Sequence, residues 1–112
     1  MGQRGDGEHQ NEACSAIAST VGGIMTQEVG AVTGDLELAT YPRSDGVEVA
    51  VRYAEADEWY TVEGSPIERG KTGGLPPTEL HELHERIVGH LTSSGAIVEG
   101  NEQPTSLLGF SR

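Results

Sequence analysis

Leu36-Glu37-Leu38-Ala39-Thr40-Tyr41 and Val47-Glu48-Val49-Ala50-Val51-Arg52-Tyr53 are two alternating runs, separated by Pro42-Arg43-Ser44-Asp45-Gly46. A period of two is the pattern of a strand with one buried face. The break contains Pro and Asp-Gly, residues that supply the backbone angles of a tight hairpin loop. Two antiparallel strands are therefore expected over this stretch. Beyond a turn at Ala54 to Asp57, Glu58-Trp59-Tyr60-Thr61-Val62-Glu63 is rich in aromatic and β-branched residues and reads as a third strand. Gly64-Ser65-Pro66 ends it.

Further along, the period changes. Leu80, Leu83, Ile87 and Leu91 recur three and four apart, which is one apolar stripe on a helix. Pro76-Pro77-Thr78-Glu79 reads as its start, with Thr78 as cap and Glu79 and Glu82 near the positive end of the dipole. Ser94-Gly95 reads as its end, with Gly95 as a left-handed cap. A helix over 79–93 is about 22 Å long, and a seven-residue strand about 23 Å. The helix can therefore lie along the sheet.

The expected fold class is α+β: a three-stranded antiparallel meander with one long amphipathic helix on one face. Ala96-Ile97-Val98 is a candidate fourth strand. The covered face should carry Leu36, Leu38, Val47, Val49, Val51, Tyr53, Tyr60 and Val62. The opposite face should carry Glu37, Tyr41, Glu48, Arg52, Trp59, Thr61 and Glu63.

Residues 1–12 are Gly, charged and amide residues without periodicity and read as disordered. Ala13, Ile17 and Val21 are four apart, which suggests a turn or two of helix. Met25 resembles an ordinary start. Residues 1–24 are thus expected to be a flexible extension whose removal leaves thermal stability nearly unchanged. Residues 25–98 would be the folded domain, and residues 99–112 a polar tail with a short apolar patch at Leu107-Leu108-Gly109-Phe110.

The chain has 112 residues, a formal charge of −11, and only 35% hydrophobic and 4% aromatic residues. Most of the acidity lies between residues 25 and 70, where the sheet is expected. Such a surface repels nucleic acid and anionic membranes and favours a basic partner. Cys14 is the single cysteine, so no internal disulfide can form. No apolar run is long enough to span a bilayer, and no apolar leader precedes Cys14. The expected location is the cytoplasm.

Motifs of chemistry are few. His81-Glu82-Leu83-His84 has one residue too few between its imidazoles for the zinc-protease pattern. A helical wheel puts His84 on the apolar stripe and His81 and His90 on opposite flanks, so no three histidines converge. No metal or cofactor is expected. Gly70-Lys71-Thr72 lacks both the upstream glycine and the following helix of a phosphate loop. Arg4-Gly5-Asp6 is a chance string in a polar tail, and Asp57-Glu58 is a solvated turn pair. No serine lies in a nucleophile-elbow context.

Two functional readings follow. The leading one is a protein–protein interaction module, of inhibitor or immunity-like type or self-associating as a homodimer. It would bind through the exposed sheet face, with Trp59, Tyr41 and Arg52 as the binding residues. Such aromatic and Arg side chains anchor interfaces. The alternative is a small-ligand binder or small enzyme, with a pocket between helix and sheet and His84 as its ionisable group.

Overall fold

The structure is a computed structural model that describes residues 12–43, 46–68, 76–108 and 110. The expectations for residues 1–11, Arg4-Gly5-Asp6, Ser44-Asp45 and Gly70-Lys71-Thr72 lie outside the described residues. In chain order the elements are β1 (Ala13–Ala18), β2 (Ile24–Thr26), β3 (Gly30–Val32), β4 (Asp35–Arg43) and β5 (Gly46–Tyr53). They are followed by β6 (Tyr60–Thr61), β7 (Ile67–Glu68), α1 (Pro77–Leu91), β8 (Ile97–Val98) and β9 (Asn101–Glu102). The chain is α+β, with one helix among the described residues and antiparallel sheets.

The main sheet runs β1-β4-β5-β6, with β7 also paired to β5. Strands β4 and β5 pair from Leu36↔Tyr53 to Arg43↔Gly46, so the two alternating runs face each other in register. That register puts Leu36, Leu38 and Thr40 beside Val47, Val49 and Val51, and all six are buried. Helix α1 covers this face with Leu80, Leu83, His84, Ile87 and Leu91. On the other face Ala39 and Ala50 are also buried. Their neighbours along that face are Glu37, Tyr41, Glu48 and Arg52.

Residues 13–18 are not helical. They form β1, antiparallel to β4 from Ala13↔Thr40 to Ala18↔Asp35. The four-residue spacing of Ala13 and Ile17 is also a same-face spacing in a strand, and that is how it is used: Ala13, Ser15 and Ile17 turn inward while Cys14, Ala16 and Ala18 are exposed. Tyr53 differs from its expected burial, at 41% exposed. It is the last residue of β5 and sits at the rim of the covered face.

The helix starts and stops two residues early, at Pro77 and Leu91. Pro76 occupies the cap position with no side-chain hydrogen bond, so Thr78 is not the cap. Gly95 adopts no positive φ. Its constraint is space, because a Cβ there would collide with the Gln103 carbonyl oxygen. Residues Ile97–Val98 do form a strand, but β8 pairs with β9 in a separate exposed hairpin and not with the main sheet.

Segments from both halves of the chain, around Ile24 and Leu107, enter the core. Ile24 is fully buried, ahead of the expected boundary at Met25. The Met25 N–H donates to the Thr105 carbonyl at 2.8 Å, and the Leu107 N–H donates to the Glu63 carbonyl at 2.8 Å. Leu107 is buried in the same core cluster as Ile24. Gly64 has φ +97°, and a Cβ on it would strike the Leu107 backbone, so this glycine permits the tail to dock. No described helix is long and apolar enough to cross a membrane.

The stability expectation attached to residue 24 therefore reverses. Starting the chain at Met25 removes β1 and Ile24, and its melting temperature should fall sharply by circular dichroism. The point substitution Ile24→Ala should by itself cost about 2–5 kcal/mol in urea unfolding. A loss below about 1 kcal/mol would fit a surface position and not a core one.

Candidate functional site

Position 84 on the apolar stripe of α1 is a histidine. Facing it are two inward positions of the sheet that are also polar: Ser15 of β1 and Thr40 of β4. The three side chains meet. His84 Nε2 lies 2.7 Å from Ser15 Oγ, and His84 Nδ1 lies 2.8 Å from Thr40 Oγ1. A neutral imidazole has one N–H donor and one bare acceptor nitrogen. One hydroxyl therefore accepts the ring N–H, and the other donates to the bare nitrogen.

His84 is 1% exposed. Burial pushes its pKa down from 6.5; the nearby Glu85 carboxylate opposes this and His81 reinforces it. The ring is accordingly neutral at physiological pH. Thr40 is fully buried, whereas Ser15 is half-buried.

Ser15 is half-buried because a cavity opens beside it. The cavity, about 250 Å³, is lined by Glu12, Ala13, Cys14 and Ser15 from the β1 side and by Pro77, Leu80, His81 and His84 from α1. Its floor is the Ser15–His84 pair. Glu12 accepts a hydrogen bond from the Cys14 thiol at 3.3 Å. His81 is exposed and lies 3.6 Å from Glu85 one turn along the helix. The wall is mixed: two imidazoles, a hydroxyl and a carboxylate against Ala13, Pro77 and Leu80.

His90 lies away from this site. Its Nε2–H donates to the Ser106 carbonyl at 2.9 Å, and its ring meets Phe110 edge-on at 5.1 Å. Among the described residues, no group of three His, Cys, Asp or Glu side chains is placed to hold a metal ion.

The residues expected on the opposite sheet face are partly gathered. The Arg52 guanidinium lies 4.7 Å from the centre of the Trp59 ring. It also donates twice to Glu37 Oε1, at 2.6 and 2.9 Å. Tyr41 is on the same face, on β4, four residues from Glu37. Trp59, Tyr41 and Arg52 are all half-buried.

Sequence reasoning placed His84 on the stripe but missed its partners. Ser15 is 69 residues away and Thr40 is 44 residues away. Thr40 did carry a signal, as the one polar residue at an inward position of β4. No match was found for the chain among family models, curated proteins or solved structures.

The depressed His84 pKa has a signed consequence. Between that value and 6.5 the unfolded chain binds a proton that the folded chain does not. The contribution is fully present above pH 6.5 and is lost as the pH falls through the folded value. Thermal melts from pH 8 downward should show an extra loss in the native chain that is missing in His84→Leu. Identical pH profiles for the two chains would contradict a neutral buried ring.

The two hydroxyls should also differ. Thr40→Val leaves a ring nitrogen unsatisfied in a dry site and should cost about 1–3 kcal/mol. Ser15→Ala should cost less than about 1 kcal/mol, because water in the cavity can take the place of the hydroxyl. Equal losses in chemical denaturation would mean that the cavity does not hydrate the ring.

Proposed function

We propose that this protein binds a small polar molecule in the cavity between β1 and α1, with the Ser15–His84 pair as its recognition group. One observation carries the reading: a buried imidazole hydrogen-bonded at 2.7 Å to a half-buried serine on the floor of a cavity. Pockets of this kind bind by an apolar wall and a few convergent polar groups.

The electrostatics narrow the ligand class. His84 is neutral, Glu12 is among the lining residues, and the chain carries a formal −11. An anionic ligand would meet an unfavourable field. A neutral or cationic molecule with hydrogen-bond donors fits the Ser15 oxygen and the acidic chain around it. A volume of about 250 Å³ suits a compact molecule smaller than most cofactors. The Ser15–His84 contact is also the first half of a nucleophile–base arrangement. The ring's other nitrogen, however, is held by Thr40 and not by a carboxylate. Binding is therefore the better-supported activity.

The second reading, a protein partner on the opposite sheet face, is favoured by the Arg52–Trp59 stack. Arg52 already gives two hydrogen bonds to Glu37, which preorganises the group and leaves fewer donors for a partner. An acidic surround would make such binding fast and salt-sensitive.

The readings separate by mutation. A library of small amines, amides and polyols, followed through the imidazole nitrogen signals in NMR, should give hits that shift the His84 ring. Those hits should be lost in His84→Leu and retained in Trp59→Ala. If no compound moves the His84 signals while Trp59→Ala abolishes capture of a partner by a folded protein, the sheet-face reading replaces the pocket.

A further inference from the structure

On the reading that the β1–α1 cavity binds a small polar molecule, we propose that Ser15 presents a hydrogen-bond donor to it, so that the bound molecule is a neutral carboxamide held by its carbonyl oxygen. Thr40, His84 and Ser15 form a row with a dry end and an open end. The dry end sets which way the hydrogens run.

Thr40 is the dry end. It lies on β4, between β1 and β5, and is fully buried. Among the described residues, the His84 ring is the only hydrogen-bond partner of its hydroxyl, with Nδ1 at 2.8 Å. A hydroxyl has one hydrogen to place, and a spare lone pair is left unused more readily than a buried hydrogen. If the ring donated Nδ1–H to Thr40, the Thr40 O–H would have no acceptor in a dry site, which is costly. If Thr40 donates to Nδ1 instead, its hydrogen is bonded. The neutral ring then carries its single hydrogen on Nε2. That N–H donates to Ser15 Oγ at 2.7 Å.

The row ends at Ser15. Among the described residues, its hydroxyl has the ring as its only hydrogen-bond partner. The side chain is half-buried and lines the cavity. Its oxygen receives the ring N–H, so its own O–H turns toward the cavity. The site therefore offers a donor at a fixed position. The same polarity removes Ser15 as a nucleophile, because Nε2 already bears a hydrogen and cannot take the serine proton.

Three kinds of small polar molecule meet this donor differently. An ammonium has no acceptor for it and can use only the remaining lone pair of the Ser15 oxygen. A carboxylate has acceptors, but it enters a chain of formal charge −11. A carboxamide has a strong neutral acceptor, and its N–H groups suit an acidic surround. Ala13, Pro77 and Leu80 give its hydrocarbon part an apolar wall.

The full chain tests this at pH 8 by imidazole proton–nitrogen correlation spectra, with the His84 signals assigned by their loss in His84→Leu. Before any addition, the His84 hydrogen should be on Nε2. Three probes of one shape are then titrated: isobutyramide, isobutylamine and isobutyrate. Isobutyramide should move the ring signals and bind at least about tenfold more tightly than either ion. Ser15→Ala should weaken the amide about tenfold or more with native circular dichroism, and Ser15→Thr should recover most of the loss. If Ser15→Ala unfolds, the tautomer and the amide–amine comparison in the native chain decide. A fluorophosphonate should leave Ser15 unlabelled in intact-mass spectra. A hydrogen found on Nδ1 overturns the proposal while leaving the cavity as a binding site. So does isobutylamine that binds as tightly as the amide, amide binding unchanged in a folded Ser15→Ala, or a fluorophosphonate adduct on Ser15. If none of the three probes moves the ring signals up to about 100 mM, the cavity reading itself fails and the proposal falls with it.

Discussion

The pairing of β4 with β5 is the constraint on which the rest of the molecule depends. Its register sets Leu38 beside Val51 and Thr40 beside Val49 under the helix. Side chains alternate across a sheet, so a slip of β5 by one residue would turn Glu48 and Arg52 inward and put the valines in water. The same register fixes a polar group, Thr40, at a dry position. A buried hydroxyl without a partner is costly. The one polar residue on the buried stripe of α1, His84, supplies that partner at 2.8 Å. The polar positions of sheet and helix thus satisfy each other, and the helix is aligned by a hydrogen bond as well as by packing.

A small domain has little interior to spare, and this one recruits segments outside its central sheet and helix. Ile24 and Leu107 are distant in sequence and share one cluster with the strand valines and the helix stripe. Thr105 ties the two segments together. Its N–H donates to the Gly23 carbonyl at 2.9 Å, and its hydroxyl donates to the Leu91 carbonyl at the end of α1 at 2.8 Å. The C-terminal segment therefore closes the helix and holds β2 in place at the same time.

The parts legible in the sequence are those with strong contrast between neighbouring side chains. Residues 47–52 set three valines against Glu48, Ala50 and Arg52, and residues 80–91 repeat leucine and isoleucine at helical spacing. Strand β1 offers no such contrast. Ala13-Cys14-Ser15-Ala16-Ile17-Ala18 is small on both faces, and its pairing with β4 is a long-range choice that local pattern does not encode. Missing β1 also hid Ser15, and with it the cavity. The helix ends were misplaced for a different reason. Pro77 tolerates the first turn because its absent N–H would have had no partner there, and the space around Gly95, not its φ, is what excludes a side chain.

His84 poses a choice that packing alone does not resolve. Replacing a buried polar set by apolar groups of similar shape is often neutral or stabilising. The Ser15–His84–Thr40 set is therefore not what a sheet–helix interface needs for stability. Two roles remain for it. As a register pin it aligns α1 with β4, and for that Thr40 suffices, because it is buried and bonded to Nδ1. Ser15 adds nothing to that alignment that a cavity water would not supply. What Ser15 does add is a fixed hydroxyl at the cavity floor, held by the ring behind it. The dry half of the set thus belongs to the fold, and the half that faces the cavity is the part that the proposed binding role would use.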